Sequence, residues 1–141
     1  MIAYLDSSVV LRVVLSQRDI LREWDSLITG VSSSLLRVEC FRTLDRLWHQ
    51  GELDEQELEQ KHVAVDALLP RLQLAPPSDH LLKRASQSFP TIVKTLDAIH
   101  LATAMSFRDQ QPGDEWPIYF ATHDNKLAAA ARAMNFAVLG A

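Results

Sequence analysis

Short apolar runs alternate with longer amphipathic stretches from one end of the chain to the other. Runs that are apolar on both faces, such as 2–5 and 118–121, are typical of buried parallel strands, which are covered on both sides. Stretches with apolar residues three and four positions apart are typical of helices that pack one face inward. The pattern predicts strands at 2–5, 30–33, 72–74, 118–121 and 136–139, and helices at 7–16, 19–28, 35–50, 54–69, 79–89, 94–104 and 126–134.

The regular alternation of these elements predicts an α/β fold, a three-layer α/β/α sandwich with a central parallel sheet and right-handed crossovers. The chain has 141 residues, of which 48% are hydrophobic. This size and composition predict one domain, residues 1–141, with a full core. Gly51 suits the C′ position after the helix at 35–50. The polar residues 109–117 predict a loop before the strand at 118–121.

Composition narrows the classes of function. The net charge is -4 and the pI is about 5.7, so any contact with nucleic acid must use a local basic stripe. The single cysteine, Cys40, cannot form an intramolecular disulfide, which fits a reducing compartment, and its apolar helical neighbours favour a packing role. No signal peptide and no run of membrane-spanning length is visible. We therefore expect a cytoplasmic protein with no membrane contact.

Two acidic residues follow predicted strands. Asp6 comes directly after the strand at 2–5, and Asp124 follows the strand at 118–121. In parallel sheets the carboxyl ends of the strands meet at one edge, and ligands bind in the crevice outside that edge. Aspartate is also a favoured N-cap residue. From the residues alone, Asp6 and Asp124 are therefore equally suited to a binding site and to capping the helices that follow.

Two further acids lie on helix faces close to the predicted core. Asp97 shares a face with His100 by the spacing of helical residues, and Glu39 lies at the shoulder of the apolar stripe of its helix. Asp97 could instead stabilise the helix dipole. For Glu39, pairing with Arg42 or Arg46 is the favoured interpretation from the helix alone. For His100 the favoured interpretation is a packing histidine with satisfied hydrogen bonds, because one histidine does not make a ligand set.

If these four acids converge, a bound metal ion would offset the repulsion between their charges. Carboxylates that meet in one pocket repel one another strongly unless a cation lies among them. Oxygen ligands suit Mg²⁺ or Mn²⁺, and a set without cysteine or histidine disfavours zinc. Sites of this kind are typical of phosphodiester hydrolysis.

Four segments form a pattern that covers nearly the whole chain: YLDSSVVLR at the start, SSLLRVECFR in the middle, TLDAIHLATA later and FATHDNKLAAAARAMNFAVL near the end. In this order and at these spacings they resemble the PIN domain family and, within it, the VapC-type ribonuclease toxins of type II toxin–antitoxin systems. Together the segments are specific, whereas any one of them alone would be weak.

The resemblance implies an endoribonuclease with Mg²⁺ or Mn²⁺ as cofactor, RNA as substrate, a cognate antitoxin as inhibitor and a homodimeric state. The implied products carry a 5′-phosphate and a 3′-hydroxyl. The implied catalytic and metal-binding set is Asp6, Glu39, Asp97 and Asp124, with Ser8 and Thr122 as polar supports. His123 receives no role. Candidates for contacts to the RNA backbone, chosen because they lie near the motifs, are Arg12, Arg37, Arg42 and Lys94.

Other classes of function remain as alternatives. A phosphatase of the haloacid-dehalogenase type would need a second aspartate two residues after Asp6, where Ser8 stands. Another metal-dependent phosphoesterase could use the same acids. A non-catalytic PIN-like module that dimerises through Phe41 and Trp48 and binds RNA or protein would need none of the acids, and the intact set argues against it.

Overall fold

The computed structural model describes residues 1–111, 113 and 117–141. Its strands are β1 (Ile2–Leu5), β2 (Thr29–Ser33), β3 (Gln73–Ala75), β4 (Ile118–Ala121) and β5 (Val138–Leu139). They form one sheet in the order β3-β2-β1-β4-β5, and every neighbouring pair is parallel. The predicted α/β fold with a central parallel sheet is confirmed.

Helices cover both faces of this sheet. The α-helices of the described residues are α1 (Ser7–Val14), α2 (Leu35–His49), α3 (Glu55–Leu68), α4 (Asp79–Ala85), α5 (Thr95–Asp109) and α6 (Asn125–Ala133). None of them is long and apolar enough to cross a membrane.

The side chains of β1 alternate between the two layers of helices, as the two-residue period of a strand requires. Ala3 and Leu5 belong to a core cluster with buried residues of α1, α2 and α3. Tyr4 belongs to a second cluster with buried residues of α5 and α6. The short helix α4 packs against α5. The central strand thus separates two cores, and its carboxyl end lies between them.

Local sequence explains how the α2–α3 hairpin is built. Gly51 follows the last turn of α2 with φ of 76°, a left-handed conformation that favours glycine at the predicted C′ position. Asp54 then caps α3, because its side chain accepts the backbone N–H of Glu57 at 2.8 Å while the Glu57 carboxylate accepts the N–H of Asp54 at 3.1 Å. Both helix ends lie within one residue of their predicted positions.

The prediction of a helix at 19–28 is wrong. This segment is irregular apart from one 3₁₀ turn at Trp24–Ser26. The apolar residues of this segment do not form one buried helical face, since Ile20 and Ile28 are exposed and Leu21 is buried. The side chain of Arg12 also donates to the carbonyl of Asp19 at 2.9 Å. Leu21, with Trp24 and Leu27 partly buried against the same core cluster, holds the segment as an irregular connection between α1 and β2.

Several other boundaries also differ from the predictions. The helix predicted at 79–89 ends at Ala85, because the next residue, Ser86, turns its hydroxyl back to the carbonyl of Leu82 at 2.7 Å. The last strand contains Val138–Leu139 alone of the predicted 136–139. The loop predicted at 109–117 begins later than expected because α5 includes Asp109. Residues 112 and 114–116 of that loop lie outside the described residues.

Candidate active site

The carboxyl ends of β1 and β4 bring Asp6 and Asp124 to the same edge of the sheet. Leu5 and Ala121 are register partners in this parallel pair, and the N–H of Asp6 donates to the carbonyl of Ala121 at 3.2 Å. The chain after each strand therefore emerges at one place. The crevice outside this edge is where open α/β sheets bind ligands.

Asp6 is a buried carboxylate, 5% exposed. Its Oδ1 accepts hydrogen bonds from the Ser8 hydroxyl and the N–H of Val9, and its Oδ2 accepts one from Thr122 at 2.7 Å. Burial raises the pKa of Asp6, while the bonds from Ser8 and Thr122 counteract this effect. The Val9 bond caps α1, so the capping interpretation is confirmed. It does not compete with a binding role, because the same bonds also orient the carboxylate.

Asp124 is an exposed N-cap of α6. Its Oδ1 accepts the backbone N–H groups of Lys126 at 2.8 Å and Leu127 at 3.2 Å. Both bonds use the same oxygen, so Oδ2 can bind another group while the cap stays in place. The N–H of Asp124 in turn donates to the Thr122 hydroxyl at 3.0 Å. One threonine therefore contacts the acids at the ends of both strands.

Glu39 reaches the site from α2. Its Oε1 lies 2.6 Å from Nε2 of His100, and its Oε2 accepts the Ser7 hydroxyl at 3.3 Å. The predicted pairing of Glu39 with an arginine of its own helix is wrong. Those two arginines contact polar residues further along α2: Arg42 pairs with Asp45 at 3.1 Å, and Arg46 donates to Gln50 at 3.3 Å.

His100 is buried, 1% exposed, and the prediction of a packing histidine with satisfied hydrogen bonds is confirmed. Nδ1 of its ring lies 2.6 Å from the hydroxyl of Tyr4. Nothing in the sequence indicated that its other nitrogen would contact Glu39, 61 positions away. The shared helix face of Asp97 and His100 was the only local signal for a place beside the acids.

Asp97, half-buried in the first turn of α5, lies where the fields of the other acids overlap. Its pKa is raised, first by burial and next by the charge of Asp124, and also by Asp6 and Glu39, while His100 has the opposite effect. Asp97 also lines one cleft with Asp124, Thr122 contacts both Asp6 and Asp124, and Glu39 contacts His100 on the same helix as Asp97. These contacts connect the four acids at one edge of the sheet.

A cleft of about 340 Å³ opens beside these acids. Asp97 and Asp124 line it, Lys94 and Lys126 add positive charge, and apolar side chains such as Leu127 complete its wall. Lys94 is one of the residues predicted from the sequence to contact RNA, whereas Lys126 is not. The position of Lys126 two residues after Asp124, at the start of a helix, was the signal that could have found it.

The three arginines that were candidates for RNA contacts have protein partners. Arg12 donates to a backbone carbonyl of the α1–β2 connection. Arg37 pairs with Asp66 at 2.8 Å and stacks on an aromatic ring of its own helix, and Arg42 pairs within α2. Exposed pairs of this kind contribute about 0–1 kcal/mol, so RNA phosphates can compete for these side chains. Of the four candidates, Lys94 is the one that lines the cleft.

The donor set fits a hydrated Mg²⁺ or Mn²⁺ ion. Within the described part of the chain, no three Asp, Glu, His or Cys side chains already surround one point as metal ligands. Mg²⁺ does not require such a cage, since it keeps several waters and is usually bound by one or two carboxylates together with substrate phosphates. Asp97 and Asp124 on the cleft wall offer carboxylates of this kind, and Asp6 and Glu39 add negative charge behind them.

Comparison with known proteins gives matches over almost the full length. The model of the PIN domain family matches residues 3–133. Ribonuclease VapC47 of Mycobacterium tuberculosis (strain CDC 1551 / Oshkosh) is 26% identical over 140 residues, which cover 94% of this chain and 92% of that protein.

Two solved structures share the fold. FitAcB from Neisseria gonorrhoeae superposes with a TM-score of 0.70 at 18% identity, covering 98% of this chain and 96% of that one. VapBC2 from Rickettsia felis, bound to a DNA fragment from its promoter, gives 0.67 at 15% identity, covering 98% and 97%.

Proposed function

This chain belongs to the PIN domain family, and we propose that it is a Mg²⁺- or Mn²⁺-dependent endoribonuclease, the toxin of a type II toxin–antitoxin pair. The observation that carries the proposal is the position of half-buried Asp97, which lines one cleft with Asp124 and whose pKa is raised by burial and by the charges of Asp124, Asp6 and Glu39. Such an arrangement is unfavourable without a cation. The similarity to a protein named as a ribonuclease supports the choice of RNA as substrate.

A bound divalent ion would lower the pKa of an attacking water and stabilise the leaving oxygen. The carboxylates that would hold it are the catalytic set Asp6, Glu39, Asp97 and Asp124. Water adds across the bond between phosphorus and the 3′ oxygen, the proton passes to the leaving oxygen, and the products carry a 5′-phosphate and a 3′-hydroxyl.

The chain's own contribution to this reaction is orientation and charge. Ser8 and Thr122 fix both oxygens of Asp6, and the backbone of α6 fixes one oxygen of Asp124. Groups that are fixed before the substrate arrives need not be ordered during the reaction. Such preorganisation is usually the largest contribution to transition-state stabilisation in charged active sites. Ser8 and Thr122 are therefore proposed as supports of the site.

RNA is proposed to enter along the cleft beside Asp97 and Asp124. The chain is acidic overall, so its attraction for phosphate must be local. Lys94 and Lys126 give this cleft positive charge, and each lysine that neutralises a phosphate strengthens binding by releasing counterions. The arginines at 12, 37 and 42 are secondary candidates, because contact with RNA requires them to leave their present partners.

A cognate antitoxin is the proposed protein partner, in a cytoplasmic homodimer of the toxin. VapBC2 and FitAcB share the fold of this chain over nearly its full length, and the VapC-type toxins that the sequence resembles are inhibited by a cognate antitoxin. The likeness to them supports the partner class and leaves the identity of the antitoxin to experiment.

The deciding experiment compares wild type with Asp97→Asn on a structured RNA in Mg²⁺, in Mn²⁺ and in excess EDTA. We expect cleavage by the wild type with either ion, none in EDTA, and a loss of at least about 100-fold in the variant, the scale of removing one charge-stabilising group from an active site. Cleavage that persists in EDTA and leaves 2′,3′-cyclic phosphate ends would overturn the metal mechanism. A folded wild type that binds RNA without cleaving it would favour the non-catalytic module.

A further inference from the structure

His100 is held between two other side chains, one on each side of its ring. Nε2 lies 2.6 Å from Oε1 of Glu39, and Nδ1 lies 2.6 Å from the hydroxyl of Tyr4. Tyr4 is fully buried, and His100 is nearly so. Both ring nitrogens are occupied, so the ring cannot flip without losing a hydrogen bond in a site with little water to replace it.

The donors and acceptors of this chain of contacts follow from chemistry. Burial raises the pKa of Tyr4 above its usual range, so its hydroxyl keeps its proton. A carboxylate oxygen accepts hydrogen bonds, so an N–H at Nε2 of His100 donates to Glu39. Tyr4, His100 and Glu39 therefore form one line of hydrogen bonds.

Glu39 depends on this contact more than the other acids depend on any single bond. Asp6 accepts from two hydroxyls and a backbone N–H, and Asp124 accepts two backbone N–H groups. Glu39 has a longer side chain, and apart from His100 its hydrogen bond in the described residues is the longer one to Ser7, at 3.3 Å. Without the His100 contact, the long side chain of Glu39 would have only this bond to Ser7 and would keep more of its rotational freedom.

We propose that His100 is a positioning residue, which holds Glu39 in the orientation that the acidic site uses, and that Tyr4 fixes His100 in turn. This inference rests on the proposed function. In this role His100 is not itself a metal ligand and acts through the carboxylate of Glu39. Groups that orient metal ligands in this way typically change metal affinity or activity by about 10- to 100-fold when removed. A purely structural histidine would instead affect folding stability and leave both quantities alone.

The test uses His100→Phe, which removes the donor and keeps a planar ring, and Tyr4→Phe, which removes only the hydroxyl. His100→Gln keeps an N–H donor and serves as the conservative rescue. Val65→Ala is the matched control for lost stability, because Val65 is fully buried in the core cluster on the other face of the sheet. For each protein we would measure the melting temperature, Mn²⁺ affinity by calorimetry without RNA, and kcat and KM for RNA cleavage.

We expect His100→Phe to bind Mn²⁺ about 10- to 100-fold more weakly and to lose kcat with little change in KM. Tyr4→Phe should show the same effects more weakly, and His100→Gln should recover most of the loss. Spectra of ¹⁵N-labelled histidine should show a proton on Nε2 of His100 in the metal-free wild type. Val65→Ala should melt lower and keep its Mn²⁺ affinity.

Two failures are distinguishable. If wild type binds Mn²⁺ and cleaves RNA, and His100→Phe keeps both properties while melting lower like Val65→Ala, the positioning role is overturned and the proposed function stands. If His100→Phe does not fold, unchanged Mn²⁺ affinity in Tyr4→Phe together with an unprotonated Nε2 of His100 in the wild type overturns it equally. If folded wild type neither binds Mn²⁺ nor cleaves RNA, the proposed function fails, and the positioning role fails with it.

Discussion

The hydroxyl of Thr122 donates a hydrogen bond to Oδ2 of Asp6, with 2.7 Å between the two oxygens. The same hydroxyl oxygen accepts the backbone N–H of Asp124 at 3.0 Å. Thr122 is fully buried at the end of β4. The geometry of the acids that follow two neighbouring strands therefore depends on one hydroxyl between them.

Replacing Thr122 by valine keeps the shape of the side chain and removes this hydroxyl. We expect Thr122→Val to lower the free energy of unfolding by about 1–3 kcal/mol, because buried Asp6 and the N–H of Asp124 each lose a partner. Urea denaturation measures this change. Thr122→Ser, which keeps the hydroxyl, should lose clearly less, and equal losses in the two variants would contradict a role for the hydrogen bonds.

Neutralising Asp97 should stabilise the metal-free protein. Burial and the charges of Asp124, Asp6 and Glu39 all disfavour its ionised form, so Asp97→Asn should raise the free energy of unfolding by about 1 kcal/mol in EDTA. Millimolar Mg²⁺ or Mn²⁺ should raise the melting temperature of the wild type and scarcely move that of the variant, because an ion that binds only the folded state stabilises it. A variant that melts below wild type in EDTA, with a wild type indifferent to both ions, would contradict the site.

The stability gained by Asp97→Asn should depend on pH. The folded pKa of Asp97 is raised above its ordinary value of about 3.9, so between these two values the folded wild type binds more protons than the unfolded chain. Stability from this group is therefore complete below pH of about 4 and falls as pH rises through the folded pKa. Unfolding of both proteins in EDTA from acid to neutral pH should show a gap that widens and then levels off. A constant gap would contradict the prediction.

Expression of this chain alone should stop bacterial growth if it is a toxin. Asp6→Asn or Asp97→Asn should restore growth, because each removes a carboxylate of the proposed catalytic set without changing the size of the side chain. Growth curves after induction, with soluble protein levels checked by immunoblot, are the measurement. Normal growth in the presence of abundant folded wild type would count against the toxin.

Lysine substitutions test where RNA lies. Lys94→Ala and Lys126→Ala each remove a charge from the cleft, so each should weaken binding of a single-stranded RNA in EDTA and reduce the slope of log affinity against log salt by about 0.7. Lys61→Ala on α3 makes the same change in net charge away from this cleft and is the matched control. Equal effects of all three variants would mean that only overall charge matters.

Local sequence determines several features of this fold, including two strands, the acids that follow them and two helix caps. Apolar runs predicted β1 and β4, and the acid after each strand lies at the same edge of the sheet as expected. Parallel pairing alone places those ends together, whatever the details of packing. The caps of α1 and α6 are equally local, since Asp6 and Asp124 bond to N–H groups two or three residues on.

Tertiary packing decided the remaining features. Helical periodicity at 19–28 predicted one buried face, yet Ile20 and Ile28 are exposed, Leu21 is buried, and the segment is irregular apart from one 3₁₀ turn. Glu39 had two arginines within reach on its own helix and contacts His100 instead. A periodic pattern predicts which residues prefer to be buried, and the fold decides what lies opposite them.

The sequence by itself determined the alternation of strands and helices, the strand-end acids and the helix caps, because each depends on neighbours within about one helical turn. Only the tertiary structure decided that Tyr4, His100 and Glu39 form one line of contacts and that Lys126 shares a cleft with Asp97. These partners come from different elements, and which of them meet depends on how each helix packs across the sheet.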